Sequence, residues 1–365
     1  MTTKAAVPSQ PVKQILNVSR EVLRDCAIDN GAIVAANTDK SYTPREASDY
    51  RYVWIRDASF ICAAAEYLKL PIQENFFQWV YERPEDFAGD KLLYANYSTN
   101  GRIATMGKQF QADQMGTLLW AIHHHYAKNL KQALKFKKLI ERLADGLSSR
   151  WDRDHFSVST TDIWEVLERK TSTRLKNNFT YSLAACARGL MCAAEIIPNH
   201  FWKEAALQMI TTIDAAYHKG KGYFFRNQGM ISDPNIDASL VGLVYPFQII
   251  EPDDERMVNT VGKIEETLVT SGGVHRFQFD YFDSEGSAQE GGGAWPTLNC
   301  WLSIYWARRH DRRRALQYYN WVVDRAGKFN YYLPEQYFDD IRTGIYPLAW
   351  SHAMFVITSH HLGYI

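Results

Sequence analysis

The residues best suited to chemistry in this chain are two glutamates, far apart in sequence and each in aromatic company. Glu165 closes the stretch Thr161-Asp-Ile-Trp-Glu165, with Trp164 beside it and Asp162 three residues back. Apolar cover disfavours the charged form of a carboxyl group, raises its pKa and suits it to donate a proton near neutral pH. Glu335 stands in Leu333-Pro-Glu-Gln-Tyr337. Trp54, Arg56, Asp57, Arg276, Trp295 and Trp350 lie around them in the chain, each near the end of a predicted helix. Paired carboxylates among tryptophans and polar hydrogen-bonding groups suit chemistry at a glycosidic bond. Each residue also has a plainer reading. Glu165 alone reads as an acid at a helix N-terminus, Asp57 as an N-cap behind a surface arginine, and Trp350 as core. The functional reading rests on the constellation.

The elements that must position these residues follow from composition and spacing. The chain has 365 residues, is 46% hydrophobic, and carries 41 basic and 41 acidic side chains, so no polyanionic partner is implied. No nucleic-acid or membrane partner is expected, and oligomeric state is open. Eleven Trp, 21 Tyr and 18 Phe exceed what a core of this size usually needs, and aromatic faces stack on sugars, although most of them will fill the core. Cys26, Cys62, Cys186, Cys192 and Cys300 are scattered, without CxxC or metal spacing, and read as buried thiols in a reducing compartment. The N-terminus lacks an apolar leader and no run is long enough to span a bilayer, so a soluble cytoplasmic protein is expected. No metal or cofactor is expected. His123-His-His125 lies within a helix, where three consecutive residues cannot face one ion. Gly291-Gly-Gly293 is not a phosphate loop; it either lets backbone approach a ligand or is loose. Arg312-Arg-Arg314 reads as a solvated helix start.

Along the chain, residues 1–10 read as a disordered polar tail. Helices are then expected from Pro11 to about Ala27, from Asp57, as cap, to about Leu70, and from Glu74 to about Arg83. The rhythm continues with helices over about 111–128, 131–151, 178–196 and 198–217. An apolar segment follows over 237–249, then helices over 252–270, 295–309, 311–326 and 347–362. This makes about twelve helices in six hairpin-like pairs, with long and short connections alternating. Helices after long connections are apolar nearly all round and hence buried; the others are one-sided. Connections of roughly 18 to 30 residues are usually functional. Inner and outer helices in alternation bring every long connection to one end, which is an all-α, (α/α)6 barrel, with 11–365 as one domain.

With these elements in place, Tyr52-Val-Trp-Ile-Arg-Asp57, Thr161 to Glu165, His275-Arg-Phe277 with Gly291 to Trp295, and Pro334-Glu-Gln-Tyr337 with Pro347 to Ala353 resemble glycoside hydrolase family 15, the glucoamylase-like enzymes. The resemblance spans the chain from about Pro11, with the motifs in family order. It implies that Glu165 is the general acid and Glu335 the general base of an inverting, exo-acting hydrolase releasing β-glucose from small α-glucosides or oligosaccharides. Inverting pairs stand roughly 6.5–9.5 Å apart, with room for a water. By the same resemblance Arg56 and Asp57 grip the terminal glucose, Arg276 adds a further arginine, Trp164 and Trp350 are aromatic walls, and Tyr50 lies near the catalytic water; Trp54, from the constellation, is expected to bind substrate with them. Arg56-Asp57 agrees chemically, offering a forked donor beside an acceptor for adjacent hydroxyls.

Three departures concern the neighbouring sugar or the water. Val166 stands where many members have a second glutamate. Gly107 and Lys108 occupy a region where starch-active relatives place a tryptophan, and Phe282 a place where a tyrosine is frequent. The length leaves no room for an N-terminal β-sandwich or a starch-binding module. Small soluble α-glucosides are therefore expected, with α-1,6 linkages of the isomaltose type or α,α-trehalose as alternatives. Phosphorolysis on the same toroid is disfavoured by the carboxylate at Glu335, and a non-catalytic sugar-binding toroid by the presence of both glutamates.

Overall fold

The structure is a computed structural model that describes residues 7–45, 47, 49–87, 89–104, 109–166, 169–280, 292–338 and 341–365. Its α-helices in chain order are α1 (Gln10–Cys26), α2 (Ile55–Leu68), α3 (Gln73–Glu82), α4 (Ala112–His125), α5 (Lys137–Ser149), α6 (Thr180–Ile196), α7 (His200–Ala215), α8 (Glu255–Leu268), α9 (Pro296–Arg308), α10 (Arg312–Ala326) and α11 (Ala349–His361). Small and apolar residues cover every side of α2, α4, α6, α9 and α11, and these helices are buried along most of their length. By contrast α1 buries only a stripe, Val12, Ile15, Leu16, Ser19, Val22, Leu23 and Cys26, at helical spacing. It starts at Gln10, inside the expected tail, of which residues 1–6 lie outside the described residues.

The inner helices close a ring. α2 packs on α4, α4 on α6, α6 on a 3₁₀ helix Ala238–Leu243, that helix on α9, α9 on α11, and α11 on α2. The others pack outside it, as α3 on α5, α5 on α7 and α1 on α10 and α11. The architecture is the (α/α)6 barrel. α4 and α6 approach closely. A Cβ on Gly116 would sit 2.3 Å from the Ala185 carbonyl oxygen, and one on Gly189 2.5 Å from that of Gly116.

Two expected helices differ. The segment 237–249 holds the sixth inner position only as the 3₁₀ helix Ala238–Leu243, whose residues are all buried. Pro246 removes a donor and restricts Tyr245, and Gly242 lies under the Tyr181 ring. The helix expected over 131–151 divides into a 3₁₀ turn, Leu130–Phe136, and α5. Three-residue winding brings Ala133 and Phe136 both inward, where Phe136 meets Phe77 edge-on at 5.5 Å between ring centroids.

The long connections are joined to one another by backbone hydrogen bonds around the rim. Val53 and Tyr97 exchange a pair at 2.7 and 3.0 Å, and Thr161 N–H donates to the Phe110 carbonyl at 3.1 Å. Asn178–Phe179 pairs with Asn227–Gln228. Ala238 N–H donates to the Arg276 carbonyl at 2.8 Å, Ala294 and Tyr337 exchange a pair at 2.7 and 2.8 Å, and Ala349 N–H donates to Ala35 at 2.9 Å. Irregular segments that would otherwise leave polar backbone unpaired thus brace one another at the N-terminal ends of the inner helices.

Candidate active site

Glu165 is presented by a tight turn built from its own motif. The Asp162 carboxylate accepts from the amides of Trp164 and Val166 at 3.1 and 3.4 Å. The Asp162 carbonyl accepts from the Glu165 amide at 3.2 Å. The turn leaves Glu165 at φ 59°, a left-handed conformation that side chains avoid unless the surroundings enforce it. Trp164 is anchored by its indole N–H, 3.1 Å from each Asp237 carboxylate oxygen. Glu165 Oε1 is buried, whereas the side chain as a whole is 24% exposed where it lines the cavity. Burial pushes its carboxyl up to about 7; Arg56 opposes this and Asp57 adds to it. Asp162 is pushed up to about 6, by burial and then by Asp237.

The opposite wall comes from the first turn of α2. Asp57 does not cap this helix. Trp54 holds the cap position, and the Gln114 side-chain oxygen accepts from the Ile55 and Arg56 amides at 2.7 and 3.2 Å. A side chain on the neighbouring inner helix therefore satisfies the helix start. Arg56 is buried and donates to Asp57 at 3.1 Å and to Asp113 at 3.5 Å, with its carbon 5.2 Å from the centre of the Trp350 ring. Burial raises Asp57 to about 6 against the pull of Arg56.

Arg276 is buried and grips Asp280 through two hydrogen bonds of 2.7 Å. Its guanidinium lies 5.5 and 5.1 Å from the Trp164 and Trp295 rings, which meet edge-on at 5.5 Å. Glu335 is buried, its amide donating to the Ile345 carbonyl at 2.8 Å. Gly344 lies against its carboxyl group; a Cβ there would be 2.1 Å from Oε2. Tyr50 packs on Trp54 with centroids 5.3 Å apart.

Tyr50, Trp54, Arg56, Asp57, Trp164, Glu165, Arg276, Glu335 and Trp350, all expected from sequence, line one cavity of about 520 Å³ including its mouth, with Trp295. Ile163 and Leu348 also line it and are not singled out by sequence. Asp113, Asp237 and Asp280 support it from behind; none belongs to a local motif that marks it. The arrangement can donate a proton from Glu165, accept one at Glu335, and hold hydroxyls on Arg56, Asp57 and Arg276 between aromatic faces.

The remaining motifs lie elsewhere. His123 contacts Glu195 at 2.7 Å, His125 contacts Glu66, and His124 stacks on Trp120, so the three point apart. No group of three or more potential metal ligands occurs among the described residues. Gly293 is neither loose nor exposed to a ligand: its amide donates to the Gln336 side chain at 3.0 Å. Arg312 to Arg314 begin α10, capped by Asp311. The five cysteines are buried and unbridged. Among the described residues no helix is long and apolar enough to cross a membrane. Gly107, Lys108, Phe282 and Gly291 lie outside the described residues.

The sequence pattern of glycosyl hydrolases family 15 matches residues 17–333, ending two residues before Glu335. An "Uncharacterized glycosyl hydrolase" of Methanocaldococcus jannaschii is 28% identical over 90% of this chain and 52% of its own, so the chain spans about half the length of that relative. The "Isomaltose glucohydrolase" of Kribbella flavida is 27% identical over 91% of this chain and 88% of its own. "Trehalase 2" of Sulfolobus acidocaldarius is 26% identical over 77% and 50%. A glycosidase solved in complex with glucose superposes with a TM-score of 0.78 at 24% identity, covering 99% of this chain and 100% of the other, a likeness of fold. The chain belongs to glycosyl hydrolases family 15.

Proposed function

We propose that residues 11–365 form one catalytic unit, an inverting, exo-acting α-glucoside hydrolase that releases β-glucose from the non-reducing end of small soluble α-glucosides. Glu165 protonates the glycosidic oxygen. Glu335 takes a proton from a water that attacks the anomeric carbon from the opposite face, so the configuration inverts. The observation that carries this reading is that Glu165 and a second, buried carboxylate, Glu335, line one cavity, where burial pushes Glu165 up to about 7. Near neutral pH a carboxyl raised in this way is substantially protonated, the state a general acid needs. Arg56 and Asp57 hold adjacent hydroxyls of the terminal sugar, Arg276 a further one, and the tryptophans its faces.

An α-1,6-linked disaccharide of the isomaltose type is the favoured substrate. The likeness to the isomaltose glucohydrolase runs through nearly the full length of both chains, whereas the trehalase likeness takes in half of that protein. Trehalose is the second reading. Proton NMR of the protein with isomaltose, trehalose and maltose in separate tubes tests both. Early β-glucose from isomaltose is expected. From isomaltose, early α-glucose in excess of what the reducing-end sugar supplies would remove the inverting mechanism, and turnover of trehalose alone, which on inversion gives one β- and one α-glucose, would move the linkage. Glu165→Gln and Glu335→Gln are each expected to abolish most turnover with melting behaviour preserved. Near wild-type hydrolysis by either removes that residue from its role.

A further inference from the structure

Glu335 sits in an irregular connection, so something must hold the peptide that carries it. The residues after it are held by backbone: Gln336–Phe338 pair with Ile341–Thr343, and Tyr337 with Ala294. Those before it, Leu333 and Pro334, are held largely by side chains from α11. The Leu333 amide donates to His352 Nε2 at 3.0 Å, and Ser351 Oγ donates to the Pro334 carbonyl at 2.7 Å. Because Nε2 accepts, the ring proton of neutral His352 is on Nδ1, which lies 2.9 Å from Ser19 Oγ on α1. His352 and Ser351 are both fully buried, and burial pushes the His352 pKa down to about 3, so this tautomer persists at any working pH.

We propose that Ser351 and His352 are positioning residues for the Glu335 carboxylate, fixing the Leu333–Pro334 peptides from the barrel core. The proposal rests on Glu335 being the base. The ring nitrogens of His352 are taken up by Leu333 and Ser19, and not by Arg56, Asp57 or Arg276, so on this proposal it reaches the reaction through Glu335. A base acting through water is sensitive to its placement, since a displacement of about 1 Å can cost on the order of 100-fold. A residue that merely fills core would instead change the amount of folded protein and leave the turnover of each folded molecule intact.

The test uses His352→Leu, which keeps apolar bulk and removes both ring nitrogens, with kcat expressed per folded active site and glucose affinity measured by calorimetry. The expected result is a fall in kcat of about tenfold or more, glucose affinity within about twofold of wild type, and partial recovery of kcat in His352→Gln. Unchanged kcat per active site overturns the proposal. Combining His352→Leu with Glu335→Gln should cost nothing beyond Glu335→Gln alone, because both act on one step. A further tenfold loss overturns it. If His352→Leu does not fold, Ser351→Ala is read by the same criteria. Wild-type turnover in Glu335→Gln is a separate failure, that of the base assignment.

Discussion

Arg56 Nη2 lies 3.8 Å from Glu165 Oε1, on a guanidinium already bonded to Asp57 and Asp113. The contact is an ion pair rather than a hydrogen bond, so Arg56 restrains the Glu165 pKa without competing for its proton. One buried cation thus serves three acids. Replacing it with methionine removes the interaction that most lowers the Glu165 pKa. The alkaline limb of kcat/KM should then move to higher pH. Activity at neutral pH should fall by about tenfold or more, roughly 1.4 kcal/mol, through lost substrate contacts. Leaving three carboxylates without their cation should destabilise the fold by about 3–5 kcal/mol. An unmoved alkaline limb in Arg56→Met would disprove the coupling.

The Glu165 pKa also links activity and stability to pH. Burial favours the neutral acid, so the folded pKa of about 7 stands above the ordinary 4.5. Its contribution to stability is complete below about pH 4.5 and is lost as pH rises through 7, on the order of 3 kcal/mol between those limits. Glu165→Gln cannot ionise. Its unfolding free energy, relative to wild type, should therefore rise between pH 4.5 and 8, whatever its activity. Wild-type turnover should fall over the same upper range as the acid loses its proton. Denaturant unfolding of both proteins at four or five pH values measures the difference; a constant gap would place the raised pKa elsewhere.

The inner ring is legible in the sequence because burial on all sides demands residues such as those of Phe60-Ile-Cys-Ala-Ala-Ala65, which no outer helix carries. Apolar character reveals burial but not winding, which is why 237–249 reads as a helix when Gly242 and Pro246 restrict it to a 3₁₀ turn. Side chains that meet across long separations are harder still. Gln114 caps α2 from 59 positions away, and Asp237 meets Trp164 from 73. The pairing depends on barrel closure, which no local spacing encodes. Glu165 and Glu335 are legible because aromatic company marks them; Asp113 looks like an ordinary occupant of an apolar helix, and His352, although inside the Pro347–Ala353 motif, carries no local sign of the peptide it holds.

Gly344 is the tightest test of how Glu335 is held. Its φ of 70° is left-handed, and a Cβ would fall 2.1 Å from Glu335 Oε2. Alanine here costs about 1–2 kcal/mol in backbone terms and must displace the carboxyl group. Gly344→Ala should therefore lose kcat by roughly 10- to 100-fold with a melting temperature only a few degrees lower. Retention of wild-type kcat would mean that the position of this carboxylate does not limit turnover.

Val166 is the test of substrate choice. It follows Glu165 directly, is half-buried, and its amide is fixed on Asp162 at 3.4 Å, so a new side chain starts from a defined position beside the acid. It is not among the residues lining the cavity, and a change there should leave the terminal-sugar contacts of Arg56, Asp57 and Arg276 in place. On the proposed reading, in which the leaving sugar departs past Val166, a glutamate there would offer it a hydrogen-bond acceptor, and a charged hydrogen bond is worth about 1.5–3 kcal/mol when well made. Val166→Glu should therefore change the ratio of kcat/KM between isomaltose and maltose by about tenfold or more, while inhibition by free glucose stays within about twofold. Equal effects on both disaccharides and on glucose would locate Val166 outside the leaving-sugar side, and linkage preference would then have to come from the cavity walls themselves.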